Sequence, residues 1–319
     1  MQSIRTLSTR TSPSRTSRLT GRSASDRTSL ARPLVIAHRG SSAAYAEHTR
    51  AAYLQALAEG ADGVECDVHL TRDRQVVLWH DATVDRTSDS TGRVADHTLA
   101  QLRGLDVHSW HPASLPREYG SAAQQLLTLP DLVELLVAAG RPIRLAVEFK
   151  HPSPFGHELE ERTLSWLIGA GWDPETSRIG QVQISFMSFY AGSLQYLSTT
   201  VDTEMLCALV DLVPAEPVPS RLVWGPLGRA AVRATLRQAA ADSERIIWDG
   251  RAGMAGPGVQ YVRSHLADVK AWLAAGRRLR VWTADLAEDV ELLAGLGVQE
   301  ITTNRPGPVL DHVRTRTVR

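Results

Sequence analysis

From Leu34 onward, short apolar runs alternate with longer stretches whose apolar residues recur at helical spacing and which end at glycines. Runs of four to eight residues between helical segments are the pattern of β-α units around a parallel sheet buried on both faces. The runs predict eight strands, at Leu34–Ala37, Val64–Val68, Ile143–Phe149, Val182–Phe186, Met205–Val210, Ile246–Trp248, Leu279–Thr283 and Glu300–Thr303. Helical segments between them include Thr49–Glu59 before Gly60, Pro130–Ala139 before Gly140 and Val259–Ala275 before Gly276, the glycines serving as stops. Eight such units predict an α/β fold, a (β/α)8 TIM barrel.

One run breaks the alternation. Val76–His80 follows Glu65–Leu70 after only Thr71–Gln75, and a parallel crossover needs about a dozen residues. The two runs must therefore pair antiparallel, which returns His80 to the end of the second strand, opposite position 65 or 66. Residues 81–127 show no clean alternation and read as a small insertion after this second-strand hairpin. Setting them aside leaves a length close to the ~250 residues of a typical barrel, so residues 33–319 are expected to form one domain.

Residues 1–32 are dominated by Ser, Thr and Arg, with Asp26 as their one acid. Without an apolar period they are expected to be a disordered N-terminal tail, and an organelle transit peptide is the alternative for such a composition. Lys plus Arg equals Asp plus Glu at 35 each, so no basic excess favours a nucleic-acid or anionic-membrane partner. Cys66 and Cys207 are the only cysteines and lack disulfide-framework or zinc-knuckle spacing. No run approaches the ~18 apolar residues of a spanning helix. The expectation is a cytoplasmic protein with a small-molecule partner and no stable membrane insertion. The oligomeric state is left open.

Alternation along strands then picks out candidate chemistry. Residues two apart share a face, so Glu65 and Asp67 point one way and Cys66 the other. Two such carboxylates inside a barrel repel unless a cation or proton lies between them, and oxygen donors suit Mg2+ or Ca2+. Two solvated surface acids are the plainer alternative. Glu148 and Lys150 repeat the arrangement at the carboxyl end of the third strand, where barrel enzymes place their active sites. They could equally be a simple ion pair. His38-Arg39-Gly40 closes the first strand at the same rim, and His80-Asp81 reaches it through the hairpin. A lone histidine there is more often structural; two converging on carboxylates and an arginine point to acid-base work.

These residues resemble the glycerophosphodiester phosphodiesterase family. The resemblance is carried by His38-Arg39-Gly40, Ala46-Glu47-His48-Thr49, Glu65-Cys66-Asp67, Thr71-Arg72-Asp73-Arg74 and His80-Asp81. It continues through Asp85-Arg86-Thr87, Leu129-Pro130, Glu148-Phe149-Lys150, Ser185-Phe186, Val281-Trp282-Thr283 and Ile301-Thr302-Thr303-Asn304-Arg305-Pro306, spanning nearly the whole chain after Arg32. The resemblance implies that Glu65, Asp67 and Glu148 ligate one divalent cation, Mg2+ or Ca2+. It implies that His38 and His80 are the acid-base pair, without saying which is which. Arg39 and Lys150 become phosphate contacts, and Trp282 lines the substrate pocket or, alternatively, belongs to the core.

Three positions depart from the family's pattern. Ala46 replaces the usual proline, Arg74 stands where a glycine completes the hairpin turn, and Asn304 replaces the aspartate of the closing Thr-Asp-Arg-Pro. None removes a proposed ligand or histidine.

The implied reaction is hydrolysis of glycerophosphodiesters to sn-glycerol 3-phosphate and an alcohol, the substrate's own glycerol hydroxyl attacking first. A sphingomyelinase-D or lysophospholipase-D type enzyme is the alternative within the same barrel, although the insertion after His80-Asp81 argues against it. A barrel that only binds phosphate has no reason to hold both histidines and all three carboxylates.

Overall fold

The computed structural model describes residues 32–213 and 226–317. Among these, the strands in chain order are β1 (Leu34–Ala37), β2 (Gly63–Leu70), β3 (Val76–Leu78), β4 (Ile143–Phe149), β5 (Arg178–Ile179), β6 (Val182–Ser188), β7 (Leu206–Val210), β8 (Met254–Pro257), β9 (Arg278–Val281) and β10 (Glu300–Thr303). Eight of them, all but β3 and β5, pair in parallel, and β1 joins both β10 and β2 to close the sheet into a barrel. The (β/α)8 architecture expected from the alternating runs is the one found.

The helices are α1 (Arg50–Ala58), α2 (Leu99–Leu102), α3 (Leu129–Ala138), α4 (Glu158–Gly169), α5 (Ala191–Leu197), α6 (Pro226–Trp248), α7 (Val259–Ser264), α8 (Leu266–Ala274), α9 (Ala287–Leu296) and α10 (Pro306–Thr317). Local chemistry fixes several starts. Thr49 caps α1 by accepting from the Ala52 N–H, and Thr128 forms a reciprocal box with Asp131 at α3. No helix among the described residues is long and apolar enough to cross a membrane.

One expected strand was misplaced. Ile246–Trp248 is the last turn of α6, where Ile246 and Ile247 face the core, and the sixth barrel strand is Met254–Pro257. Isoleucine and tryptophan favour strands locally, but their spacing also suits a helix face, and packing decides. The true strand, Met-Ala-Gly-Pro, has weak strand propensity. It is specified by fit: a Cβ on Gly256 would lie 2.6 Å from Leu209 Cδ2 and 2.8 Å from Cys207 Sγ. The helix expected over Val259–Ala275 is also broken at His265, giving α7 and α8.

The hairpin is antiparallel, with Val68 opposite Leu78, His69 opposite Val77 and Leu70 opposite Val76. Its turn keeps a left-handed residue without glycine: Arg74 has φ +62°. The strain is offset by its guanidinium, which stacks 3.6 Å over the Phe155 ring and bonds Glu158 at 2.8 Å. Residues 81–127 contribute no barrel strand. Val84, Val94, Leu102, Val107 and Leu126 instead gather on Val77 and Trp79 in a small apolar cluster of their own.

The expectation for residues 1–31 lies outside the described residues. Arg32, which that expectation also covered, is fixed: its guanidinium donates to both Asp62 oxygens at 2.6 and 2.7 Å.

Candidate active site

Register brings the proposed carboxylates together. Asp67 and Glu148 are direct partners across β2 and β4, and Glu65 lies two residues back on the same face. Cys66, between the two acids, turns outward into the large core beneath the helices. Suitable ligand atoms of Glu65, Asp67 and Glu148 lie within 4.8 Å of one another, all three residues being buried.

The surroundings partly neutralise this charge. Lys150 Nζ lies 2.5 Å from Glu148 Oε1 and 3.0 Å from Asp67 Oδ1, so the ammonium sits between two of the acids. Arg39 turns back with φ +56°, donates its N–H to Glu65 Oε2 at 3.0 Å and places Nε 3.1 Å from Asp67 Oδ2. That turn needs Gly40, at φ +84°, where a Cβ would collide with the Ala52 backbone at 2.6 Å. Burial would raise Asp67, but Lys150, His48 and Arg39 together hold it well below the usual carboxylate range. Burial, reinforced by Asp67 and Glu148, pushes Glu65 well above it. Glu148 is raised to about 7, burial outweighing Lys150.

The oxygens left over bear on the implied metal. Glu65 is fully buried and its Oε1 has no hydrogen-bond partner. An unpartnered buried carboxylate oxygen beside two more carboxylates is an environment a hard cation satisfies, so the residues present fit a divalent ion.

Both predicted histidines reach the same place. His38 follows β1, with Nδ1 2.7 Å from Asn304 Oδ1 and Nε2 4.0 Å from Glu65 Oε2. An amide oxygen only accepts, so His38 Nδ1 carries the hydrogen and Nε2 presents a lone pair. Burial, with a smaller push from Arg39, lowers His38 to about 4. His80 arrives from the hairpin with Nδ1 2.6 Å from Asp81 Oδ1. Its pKa is lowered by burial, against the raising influence of Asp67 and Asp81.

A cavity of about 260 Å3 is lined by His38, Arg39, His80, Glu148, Lys150 and Trp282, together with Phe189 and Arg280. A larger groove of about 820 Å3 beside Arg74 and Trp166 gathers no such set of groups, so chemistry rather than volume locates the site. Trp282 donates Nε1–H to the Gly256 carbonyl at 2.8 Å and meets Phe189 edge to face at 5.6 Å. The ring packs against Met187, Leu209 and their neighbours in the barrel interior and also faces the cavity.

Sequence reasoning passed over several neighbours. His48, at φ +61°, holds Asp67 Oδ2 with Nε2 at 2.8 Å, and its Nδ1 is 2.9 Å from the Tyr53 hydroxyl. Glu47 bridges Arg39 and Arg86, and Arg86 also clamps Asp81 at 2.6 Å. Their signal was position, Glu47 in Ala46-Glu47-His48-Thr49 and Arg86 in Asp85-Arg86-Thr87, the motifs that carry the resemblance. Asn304 accepts from His38 and from Ser42 Oγ and donates Nδ2–H to Asp285 Oδ2 at 2.7 Å, so the departure from aspartate touches a proposed catalytic residue. Arg280, fully buried, reaches Glu300 Oε2 and the Ser185 hydroxyl. Opposite charges at inward positions of the last two strands were its signal.

The sequence profile of the Glycerophosphoryl diester phosphodiesterase family matches residues 38–308. The probable glycerophosphodiester phosphodiesterase 1 of Mycobacterium tuberculosis strain H37Rv is 34% identical over 277 residues, covering 86% of this chain and 90% of its own. The glycerophosphodiester phosphodiesterase of Bacillus subtilis is 28% identical over 275 residues, covering 86% and 84%. Among solved structures, a phosphodiesterase of Oleispira antarctica in complex with the product sn-glycerol-3-phosphate superposes with a TM-score of 0.66 at 21% identity, over 89% of this chain and 97% of that one.

Proposed function

The chain belongs to the glycerophosphoryl diester phosphodiesterase family, and from that premise we propose that it hydrolyses small glycerophosphodiesters to sn-glycerol 3-phosphate and an alcohol. The observation that carries the reading is the convergence of His38, His80, Arg39, Lys150 and Glu148 on one cavity, with Glu65 and Asp67 beside it.

Glu65, Asp67 and Glu148 would hold one Mg2+ or Ca2+. Bound there, the ion would supply charge neutralisation at a phosphoryl oxygen and orientation of the glycerol hydroxyls. Arg39 and Lys150 take the remaining phosphate charge. His38 is assigned as the base, since its neutral amide partner leaves the Nε2 lone pair available to accept a proton from the attacking glycerol hydroxyl. His80 is assigned as the acid, because the Asp81 carboxylate stabilises its protonated form, from which the departing alcohol takes a proton. Glu47 and Arg86 hold Arg39 and Asp81 in place as positioning residues. Attack by the adjacent hydroxyl forms a cyclic phosphate and releases the alcohol; water then opens the ring with the histidine roles reversed.

The test is turnover of metal-stripped and resupplied protein on glycerophosphocholine, glycerophosphoethanolamine, glycerophosphoglycerol and lysophosphatidylcholine. Activity on the three deacylated diesters, dependent on added Mg2+ or Ca2+, is expected. Preference for lysophosphatidylcholine would replace the substrate assignment.

A further inference from the structure

Where β4 ends, a second group of metal-ligand side chains lies outside the cavity just described. His151 follows Lys150, His157 precedes α4, and Glu160 lies in the first turn of that helix. His151 Nε2 is 2.7 Å from Glu160 Oε1, His157 Nδ1 is 3.7 Å from the same oxygen, and ligand atoms of all three residues lie within 4.8 Å of one another. We propose that His151, His157 and Glu160 bind one borderline transition-metal dication, Zn2+ being the best match, as a site separate from the three-carboxylate cluster.

Donor chemistry separates the two. Three carboxylates suit a hard ion, whereas two imidazoles and a carboxylate suit Zn2+ with a fourth position left to solvent. Four-coordinate zinc with ~2.0–2.1 Å bonds needs donors ~3.3 Å apart. The observed 2.7 and 3.7 Å bracket that value, and all three donors already lie within 4.8 Å of one another, so side-chain rotations can bring them to it.

Unpartnered atoms point to a missing ligand. Glu160 is fully buried, and its Oε2 makes no hydrogen bond. The Ser193 hydroxyl is also buried without a hydrogen-bond partner. His157 Nδ1 is likewise buried without a hydrogen-bond partner. Its ring is already oriented, stacked 5.1 Å from Tyr196 and 6.2 Å from Tyr190 at interplanar angles of 14° and 20°. His157 remains 41% exposed, which leaves an entry path.

Ligation replaces the hydrogen bond between His151 and Glu160. The Nε2 proton leaves that atom and the imidazole carries its hydrogen on Nδ1, at the expense of a long 3.4 Å contact from the Ser153 N–H. The bound ion would tie the end of the strand carrying Glu148 and Lys150 to the first turn of α4.

Co2+ reports the difference, because nitrogen-bound four-coordinate cobalt absorbs visible light far more strongly than cobalt in an oxygen-only six-coordinate site. Metal-stripped full-length protein titrated with Co2+ should show the strong band at one equivalent, and Zn2+ should displace it. H157Q should weaken Co2+ binding by at least ~100-fold, beyond the ~10–100-fold of losing an outer partner, while melting like wild type in chelator. E65Q should keep the band. A weak band only, a band unchanged in H157Q, or one lost in E65Q overturns the proposal. Zinc X-ray absorption on the wild-type protein reads the site without any variant: two imidazole scattering shells support it and an oxygen-only shell refutes it.

Discussion

Replacing Arg280 with Met isolates what the buried polar layer of the barrel contributes. Its guanidinium is fully buried, 2.6 to 2.7 Å from Glu300 Oε2 and 2.8 Å from Ser185 Oγ. Methionine fills much of the volume but leaves the Glu300 carboxylate, 2% exposed, with only Arg144 at 3.5 Å and a weaker influence from Arg278 as cationic support. Breaking one side of such a pair costs ~3–5 kcal/mol, because an uncompensated charge stays buried. For a domain of this size, with an unfolding entropy of ~0.6 kcal/mol/K, that is a fall in Tm of ~5–9 °C. The pH dependence gives the cause. In the wild type, burial would raise Glu300, but Arg280 and Arg144 hold it below the usual range, a contribution present above the unfolded pKa of ~4.3 and lost as pH falls. In the variant burial dominates and Glu300 is raised, so the destabilisation is absent at low pH and grows as pH rises through ~4.3. Denaturant unfolding from pH 4 to pH 8 should therefore show a gap between the proteins that widens with pH. Removing both charges, as in R280M with E300L, should cost ~2 kcal/mol less than R280M alone. A pH-independent gap, or a double variant less stable than the single one, would refute the assignment to an orphaned carboxylate.

Alanine at His38 or at His80 should lower turnover ~10²–10⁴-fold with little change in melting temperature, and the double variant should lose less than the product of the single losses, as read by steady-state kinetics. With a nitrophenyl ester, H80A should approach wild-type turnover while H38A stays impaired, since that leaving group departs without a proton; the reverse pattern would exchange their roles. Exhaustive chelation should abolish hydrolysis, and Mg2+ or Ca2+ should restore it in wild type but not in D67N. N304D places a carboxylate against His38 Nδ1 and raises its pKa; the neutral base is then lost at higher pH, and the acid limb of kcat/KM should move up by ~1 unit or more.

Much of this was legible because strand period and short turns are local. Thr71–Gln75 is too short for a crossover, so the hairpin and the return of His80 followed from counting alone. The alternation of Glu65, Cys66 and Asp67 gave the inward and outward faces without any tertiary information. Met254–Pro257 was not legible, since its strand form depends on Gly256 fitting against Leu209 and Cys207 from the neighbouring strand. The grip of Asn304 on His38 spans the closure of the barrel, from β10 back to β1, and no local pattern encodes that distance.

The register also separates function from stability. Glu300 and Arg280 are direct partners on β10 and β9, an attractive pair of the kind that supports a sheet. Asp67 and Glu148 are direct partners on β2 and β4, and like charges placed opposite one another destabilise it. A sequence selected for folding alone would favour a neutral or oppositely charged pair at the second position, as it has at the first. The barrel instead keeps the repulsive pair, adds Glu65 on the same face and inserts the Lys150 ammonium between two of the three. Glu65 Oε1 is still left without a partner. Local energetic conflict of this kind collects where a ligand resolves it, and the rim holding His38 and His80 is where this chain concentrates it.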